Sequence, residues 1–203
     1  MRHLGATPFT RNEVFLLDWQ NVEWKSVGSS LDRRETVKDL QMSELGYRPC
    51  VGVMLVNKNG KVFVAERLDS RHGNGHTAGF WQMPQGGVDE GEDLQEAALR
   101  ELAEETGVGE DKVTILAKVS EPIRYDLPDE LIGKLWKGKY RGQEQVWYLA
   151  RFQGEDADID LEAHDPPEFA QWKWLEPEEL PGVIVPFKKH VYRAVLAEFQ
   201  ALI

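Results

Sequence analysis

The chain has 203 residues, 41% of them hydrophobic, enough to bury one good core, so one domain plus an appendage is its natural organisation. A formal net charge of −11 argues against non-specific binding of long nucleic acid, whose affinity comes mainly from Lys and Arg on phosphates; DNA is not an expected partner, and any nucleotide must be held locally. The single cysteine excludes an intramolecular disulfide and fits a reducing compartment, and no apolar run approaches the roughly 18 residues of a membrane span, so no membrane partner is expected either.

Residues 1–45 read as a loosely ordered N-terminal extension. Up to Gln41 six basic residues balance six acidic ones, so the whole negative charge lies downstream. Phe15, Trp19 and Trp24 could anchor a short packed segment, but neither the strand nor the helix period is sustained. Glu13, Asp18 and Glu23 are unlike a transit peptide, which leaves the cytoplasm as the expected location. Met42 would make a sensible beginning for the domain, taken as residues 46–203.

From Tyr47 the pattern tightens. Val51, Val53 and Leu55 alternate with small or apolar neighbours, Asn57 to Gly60 is a turn signal, and Val62 and Val64 resume the alternation, which predicts a strand pair feeding the core. Cys50, at the start of this run, reads as a small core hydrophobe rather than a nucleophile. His72 and His76 would suit a metal if they lay on a helix, but the glycines of Ser70 to Gly79 predict a solvated loop, and the two histidines receive no role. A short strand from Phe80 then leads to Gly86 and Gly87, a pair that permits close backbone approach to phosphate or metal.

Strong helix formers begin at about Glu92, and Thr106-Gly107 supplies a stop. Leu94, Ala98 and Leu102 form the apolar stripe, and Glu101 and Glu105 project within the same sector, with Glu104 beside them. Like charges at i,i+4 cost about 0.2–0.5 kcal/mol, and acids at a helix C-terminus oppose the macrodipole by about 0.3–1 kcal/mol each. Arg100 answers part of this, with Glu96 four residues before it and Glu104 four after. Two readings of the cluster remain: a solvated acidic face, or a site for a hard divalent cation, Mg²⁺ first and Mn²⁺ as its substitute.

Farther on, Val113 to Val119 and Val146 to Phe152 read as strands, with a basic, aromatic loop at Gly133 to Gly142 between them. Lys134, Lys137, Lys139 and Arg141 beside Trp136 and Tyr140 suit phosphate and base contacts as well as they suit a plain surface loop. Ala170 to Leu175 reads as another strand and Glu176 to Leu180 as a short helical turn. Pro186 opens a closing helix whose apolar positions are Val191, Val195, Phe199 and Leu202. Strands, a helix, strands and a closing helix indicate an α/β domain with a mixed sheet between helices.

The spacing from Gly86 through Glu92 to Arg100-Glu101-Leu102-Ala103-Glu104-Glu105-Thr106-Gly107-Val108 fits every fixed position of the Nudix box, and the chain resembles the Nudix hydrolase family. The resemblance implies the Nudix α/β/α sandwich, Mg²⁺-dependent cleavage of a polyphosphate linkage, Glu101, Glu104, Glu105 and the Gly86 carbonyl as metal ligands, and a Glu92–Arg100 pair bracing the helix. GYRPCVGVML, WQMPQGG, YDLP, RGQEQVWYLARF, QWKW and VPFKKHVYR are similar to the branch holding RNA 5′-pyrophosphohydrolases and diadenosine polyphosphate hydrolases. By matched motif Glu168 becomes a further ligand or catalytic carboxylate, Arg48 and Lys188 meet phosphate, Arg67 and Phe187 sandwich a base, and Tyr125 lines the nucleotide pocket. The implied reaction is removal of pyrophosphate from triphosphorylated RNA 5′ ends, the alternative being a dinucleoside polyphosphate as substrate. A non-catalytic nucleotide-binding domain of the same fold would be expected to lack one of the box carboxylates, and this chain keeps them all.

Overall fold

The computed structural model describes residues 45–68 and 80–203. The expected extension, apart from Leu45, and the loop carrying His72 and His76 lie outside the described residues. Strands run β1 (Gly46–Val56), β2 (Val62–Arg67), β3 (Trp81–Gln82), β4 (Gln85–Gly87), β5 (Val113–Lys118), β6 (Ile123–Asp126), β7 (Tyr140–Phe152) and β8 (Phe169–Leu175). Helices are α1 (Leu94–Thr106), α2 (Leu180–Val183) and α3 (Lys189–Phe199).

The strands form one mixed sheet whose centre is the parallel pair β1–β7, in step from Tyr47–Gly142 to Val56–Arg151. β5 and β6 lie antiparallel on β7, β4 lies antiparallel on β1, and β2 carries β3 and β8. The expected hairpin of β1 with β2 shrinks to the single pair Val56–Val62, because on that edge of β1 strand β4 pairs with Cys50, Val51 and Gly52 and the Pro84 carbonyl accepts the Val53 N–H (2.8 Å), while β7 runs along the other edge. The turn itself forms as expected: the Asn57 side-chain oxygen accepts the N–H of Asn59 (2.9 Å) and of Lys61 (3.1 Å). Parallel pairing between covered faces also explains why β1 is buried continuously from Cys50 to Val56 instead of alternating.

β7 begins six residues before the expected Val146, so Tyr140, Arg141 and Gly142 are strand residues, not loop. Its first half is polar because β1 and β6 supply hydrogen-bond ladders on both sides and need no apolar side chains for it. β6 was not expected at all. It approaches β7 so closely at Gly142 that a Cβ there would sit 1.9 Å from the Tyr125 carbonyl oxygen. Gly142→Ala is therefore expected to cost about 1–3 kcal/mol, or roughly 2–4 °C of melting temperature per kcal/mol for a domain of this size. An unchanged melting curve would show that the two strands separate freely.

Helix α1 starts after Asp93, whose carboxylate accepts the N–H of Gln95 (2.8 Å) and Glu96 (3.2 Å), and it stops at Gly107 in the left-handed conformation, φ 70°. Ala98 and Leu102 are buried and Leu94 packs at the rim of the core. In α3, Val191, Val195 and Phe199 are buried as expected. Leu202 is not: it lies past the helix end and is 51% exposed, whereas Tyr192, in the first turn of the helix, is fully buried. The Tyr192 hydroxyl accepts the Met83 N–H (2.9 Å), and its ring meets Trp147 edge-on at 5.8 Å.

Successive residues of a strand face opposite sides, and β4 shows this at the site. A Cβ on Gly86 would point at Glu101 of α1, whereas one on Gly87 would point at Arg48 of β1. Arg48, Cys50 and Gly52 share the second face with Gln143, Gln145 and Trp147, the face that α3 covers through Tyr192. The α1 carboxylates and the cationic, aromatic groups thus approach β4 from its two sides.

Candidate active site

The last turns of α1 lie against β4. A Cβ at Gly86 would fall 2.0 Å from the Glu101 carboxyl carbon, so glycine there makes room for a carboxylate. At Gly87 the same space holds the Arg48 guanidinium. The expected backbone approach to a ligand at this glycine pair is thus, in the structure, an approach of two oppositely charged side chains.

Glu105 is buried, 6% exposed, and one of its oxygens accepts the Gln85 N–H at 2.9 Å. Burial, then the charges of Glu168 and Glu101, hold its carboxyl well above the ordinary range. Glu101 is raised too, chiefly by burial, with Arg100 opposing and Glu104 and Glu168 reinforcing the shift. Glu168 sits at the entry to β8, outside the helix, and acts electrostatically on both residues, so the fold brings it to the cluster. Glu168 also pairs with Arg67, at 3.2 Å.

Arg100 organises the exposed side of the cluster. Its Nε and Nη2 donate to the two oxygens of Glu92 (2.7 and 2.9 Å), Nη2 also to the Gly87 carbonyl (2.9 Å), and Nη1 to Glu101 (2.6 Å) and Glu104 (3.5 Å). The bidentate pair with Glu92 is the largest cause of a guanidinium held more firmly protonated than usual. Glu96, expected from i,i+4 spacing, is not a partner: it lies exposed in the first turn, while Arg100 reaches across to the loop before the helix. Among the described residues no three His, Cys, Asp or Glu side chains form a closed metal shell, since Arg100 draws Glu101 and Glu104 one way and the Gln85 amide holds Glu105 another.

Across β4, Tyr125 and Phe187 meet with ring centres 5.7 Å apart, and the Lys188 ammonium lies 5.0 Å from the Tyr125 ring. Arg48 stacks on Trp136 at 5.7 Å. The structure thus gives Phe187 a ring partner in Tyr125 and Arg67 a carboxylate partner in Glu168. Trp136 and Lys137 have φ of 49° and 57°, a left-handed conformation costing about 1–2 kcal/mol per residue, and Trp136 turns its ring to Arg48 and Tyr140 from that position. Of the basic residues read as suiting either phosphate or a plain surface loop, Arg141 pairs with Asp126 at 2.7 Å and stacks on Tyr47 at 5.6 Å. Burial pushes the Cys50 thiol up to about 12, which suits a core residue and no nucleophile.

Three amides were missed by reading the sequence. The Tyr125 hydroxyl donates to Gln143 (2.7 Å), and Gln145 donates to both Gln143 (3.0 Å) and Gln85 (2.7 Å). Polar residues at every second position of a strand that is otherwise buried were the available signal.

Residues 46–195 match the family model of the NUDIX domain. The chain belongs to the Nudix family. It is similar to an RNA pyrophosphohydrolase of Erythrobacter litoralis, 62% identical over 160 residues that cover 79% of this chain and 94% of the relative. A second RNA pyrophosphohydrolase, from Novosphingobium aromaticivorans, is 63% identical over 159 residues, 78% and 96% of the two chains. Among solved structures, the E. coli dihydroneopterin triphosphate pyrophosphohydrolase superposes with a TM-score of 0.57 at 19% identity, covering 75% of this chain and 96% of that one. A C. elegans Ap4A hydrolase gives 0.54 at 24% identity, covering 76% and 99%. These two likenesses show the fold. The Nudix protein is a pyrophosphohydrolase acting on a nucleotide or polyphosphate substrate.

Proposed function

We propose that this Nudix hydrolase removes pyrophosphate from triphosphorylated RNA 5′ ends in the cytoplasm, with Mg²⁺ as its cofactor and Mn²⁺ as a substitute. The observation that carries the RNA reading is the identity above 60% to two RNA pyrophosphohydrolases along nearly their full length.

The residues present fit a hard divalent cation. The charges of Glu168 and Glu101 raise the carboxyl of Glu105, those of Glu104 and Glu168 raise that of Glu101, the ligand atoms are all oxygen, and Glu105 is buried with a backbone amide as its hydrogen-bond donor among the described residues. Glu101, Glu104 and Glu105, with Glu168 and the Gly86 carbonyl, would hold the metal, which supplies charge neutralisation at phosphorus and a water of lowered pKa. Arg100, braced by Glu92, keeps Glu101 and Glu104 oriented. One of the four carboxylates accepts the proton of the attacking water. Arg48 and Lys188 bind the phosphates, and Phe187 and Tyr125, with Arg67 at the rim, hold the base. Pyrophosphate and 5′-monophosphorylated RNA leave.

The test is product analysis on 5′-triphosphorylated RNA and diadenosine tetraphosphate side by side, with RNA expected to have the higher kcat/KM. Stacking of a base on an aromatic ring contributes about 1–3 kcal/mol, so Phe187→Ala should lower kcat/KM for RNA about 5- to 150-fold, mainly through KM. A higher kcat/KM for the dinucleotide, with Tyr125→Ala or Tyr140→Ala the most damaging changes, would replace RNA with the dinucleoside polyphosphate.

A further inference from the structure

The amides beneath the Tyr125–Phe187 pair have fixed directions. An indole N–H can only donate, so Trp147, 3.2 Å from Gln145 Oε1, decides which end of the Gln145 amide is oxygen. Gln145 Nε2 then directs its two hydrogens at Gln143 Oε1 (3.0 Å) and Gln85 Oε1 (2.7 Å). Gln143 Oε1 also accepts the Tyr125 hydroxyl at 2.7 Å. The consequence falls on Gln85, whose oxygen is used and whose Nε2 is buried with no acceptor among the described residues. Reversing this amide would set two donors against each other at 2.7 Å, so the orientation is not free. A buried donor without an acceptor is costly, and native proteins retain one where a ligand completes it.

Position shows what the ligand is. Gln85 stands beside Gly52 and in line with Trp147, on the sheet face that carries Arg48, Cys50 and Gln145. Arg48 lies over Gly87, two residues on, and Arg48, Lys188 and Glu101 all act electrostatically on Cys50 between Gly87 and Gln145. The Gln85 backbone N–H meanwhile holds Glu105. Gln85 thus sits on the seam between the carboxylates and the cations, and the charged side chain on its own face, Arg48, is a donor. Such a place wants an oxygen that accepts and carries no proton, as a phosphate does and a base edge does only in part.

We propose that Gln85 is a substrate-binding residue, its side-chain N–H groups, aimed by Trp147 through Gln145, binding a non-bridging phosphate oxygen of the polyphosphate. The assignment rests on the polyphosphate reading of the site and adds a contact to it. Because the same amide chain ends at Tyr125, it also links the base pocket to the residue that holds Glu105.

Two substitutions in the full chain test this. Gln85→Glu keeps an acceptor for Gln145 and the backbone bond to Glu105 but sets an anion against the phosphate; Gln85→Met keeps the length and removes the polar atoms. Inorganic pyrophosphate binding is measured by calorimetry in EDTA, alongside binding of a 5′-triphosphorylated and a 5′-hydroxyl oligonucleotide of one sequence. Both variants should bind pyrophosphate and the triphosphorylated oligonucleotide about 10- to 100-fold more weakly, with the hydroxyl oligonucleotide unaffected and KM raised more than kcat is lowered when Mg²⁺ is restored. Wild-type behaviour in both variants would overturn the proposal, leaving an amide satisfied by structural water. So would equal losses for the two oligonucleotides, which is the mark of a packing residue, or a wild-type protein that binds no pyrophosphate. If the wild type cleaves no RNA yet pyrophosphate binding still depends on Gln85, the RNA reading fails and the Gln85 assignment stands.

Discussion

Glu105→Gln is expected to reduce turnover by about 10²–10⁴-fold and, in metal-free protein at neutral pH, to raise the melting temperature. The two effects have one cause. Glu105 is 6% exposed and accepts the Gln85 backbone N–H, which a glutamine oxygen accepts equally well, so the substitution removes charge without breaking that bond. The carboxyl lies above its ordinary value of 4.5 in the folded protein because burial and the charges of Glu168 and Glu101 disfavour the ion. A group raised on folding contributes stability below its unfolded value and loses it as pH rises through the folded value. As the pH rises above that ordinary value the wild-type apo protein progressively loses that contribution; the glutamine variant has no such loss. The variant should therefore melt higher in EDTA, by about 2–4 °C per kcal/mol, with the gap closing as the pH falls toward 5. Adding Mg²⁺ should reverse the order, because a ligand bound only by the folded state stabilises the protein that binds it. Glu104→Gln should share the loss of turnover. Thermal melts of the Glu105 variant and wild type across pH, with and without Mg²⁺, decide the matter: a variant that melts lower in EDTA at neutral pH would make Glu105 a structural residue.

Arg100→Ala should be the most destabilising change at the site. The guanidinium serves four acceptors, the side chains of Glu92, Glu101 and Glu104 and the Gly87 carbonyl, and its side chain is only 19% exposed. Removing one member of a buried charge network leaves the others uncompensated and costs about 3–5 kcal/mol, whereas an exposed pair contributes at most about 1 kcal/mol. The denaturant midpoint should fall accordingly without added metal, and Mg²⁺ should restore part of the loss by supplying the missing positive charge. Arg100→Lys should not rescue, since a single ammonium cannot span the bidentate contact to Glu92 and the reach to Glu101 together. A cost below 1 kcal/mol would show that the carboxylates relax into solvent, and the bracing role would be lost.

The sequence by itself determined what depends on neighbours along the chain. Helix α1, its halt at Gly107, the clustering of Glu101, Glu104 and Glu105, and the strand cores around Val53, Val64 and Leu149 all follow from local periodicity, propensity and capping. The family resemblance carried over the Glu92–Arg100 pair, which spacing alone assigned to Glu96; the i,i+4 rule sees one helix and cannot see the loop that folds back over it. Tertiary structure decided the rest. The parallel β1–β7 pairing, strand β6, the polar half of β7 and the arrival of Glu168 at the cluster come from contacts between residues far apart in sequence. The directions of the Gln85, Gln143 and Gln145 amides are of the same kind. An amide side chain carries no preference for which neighbour it faces until the fold sets Trp147, a donor that cannot accept, at one end of the row.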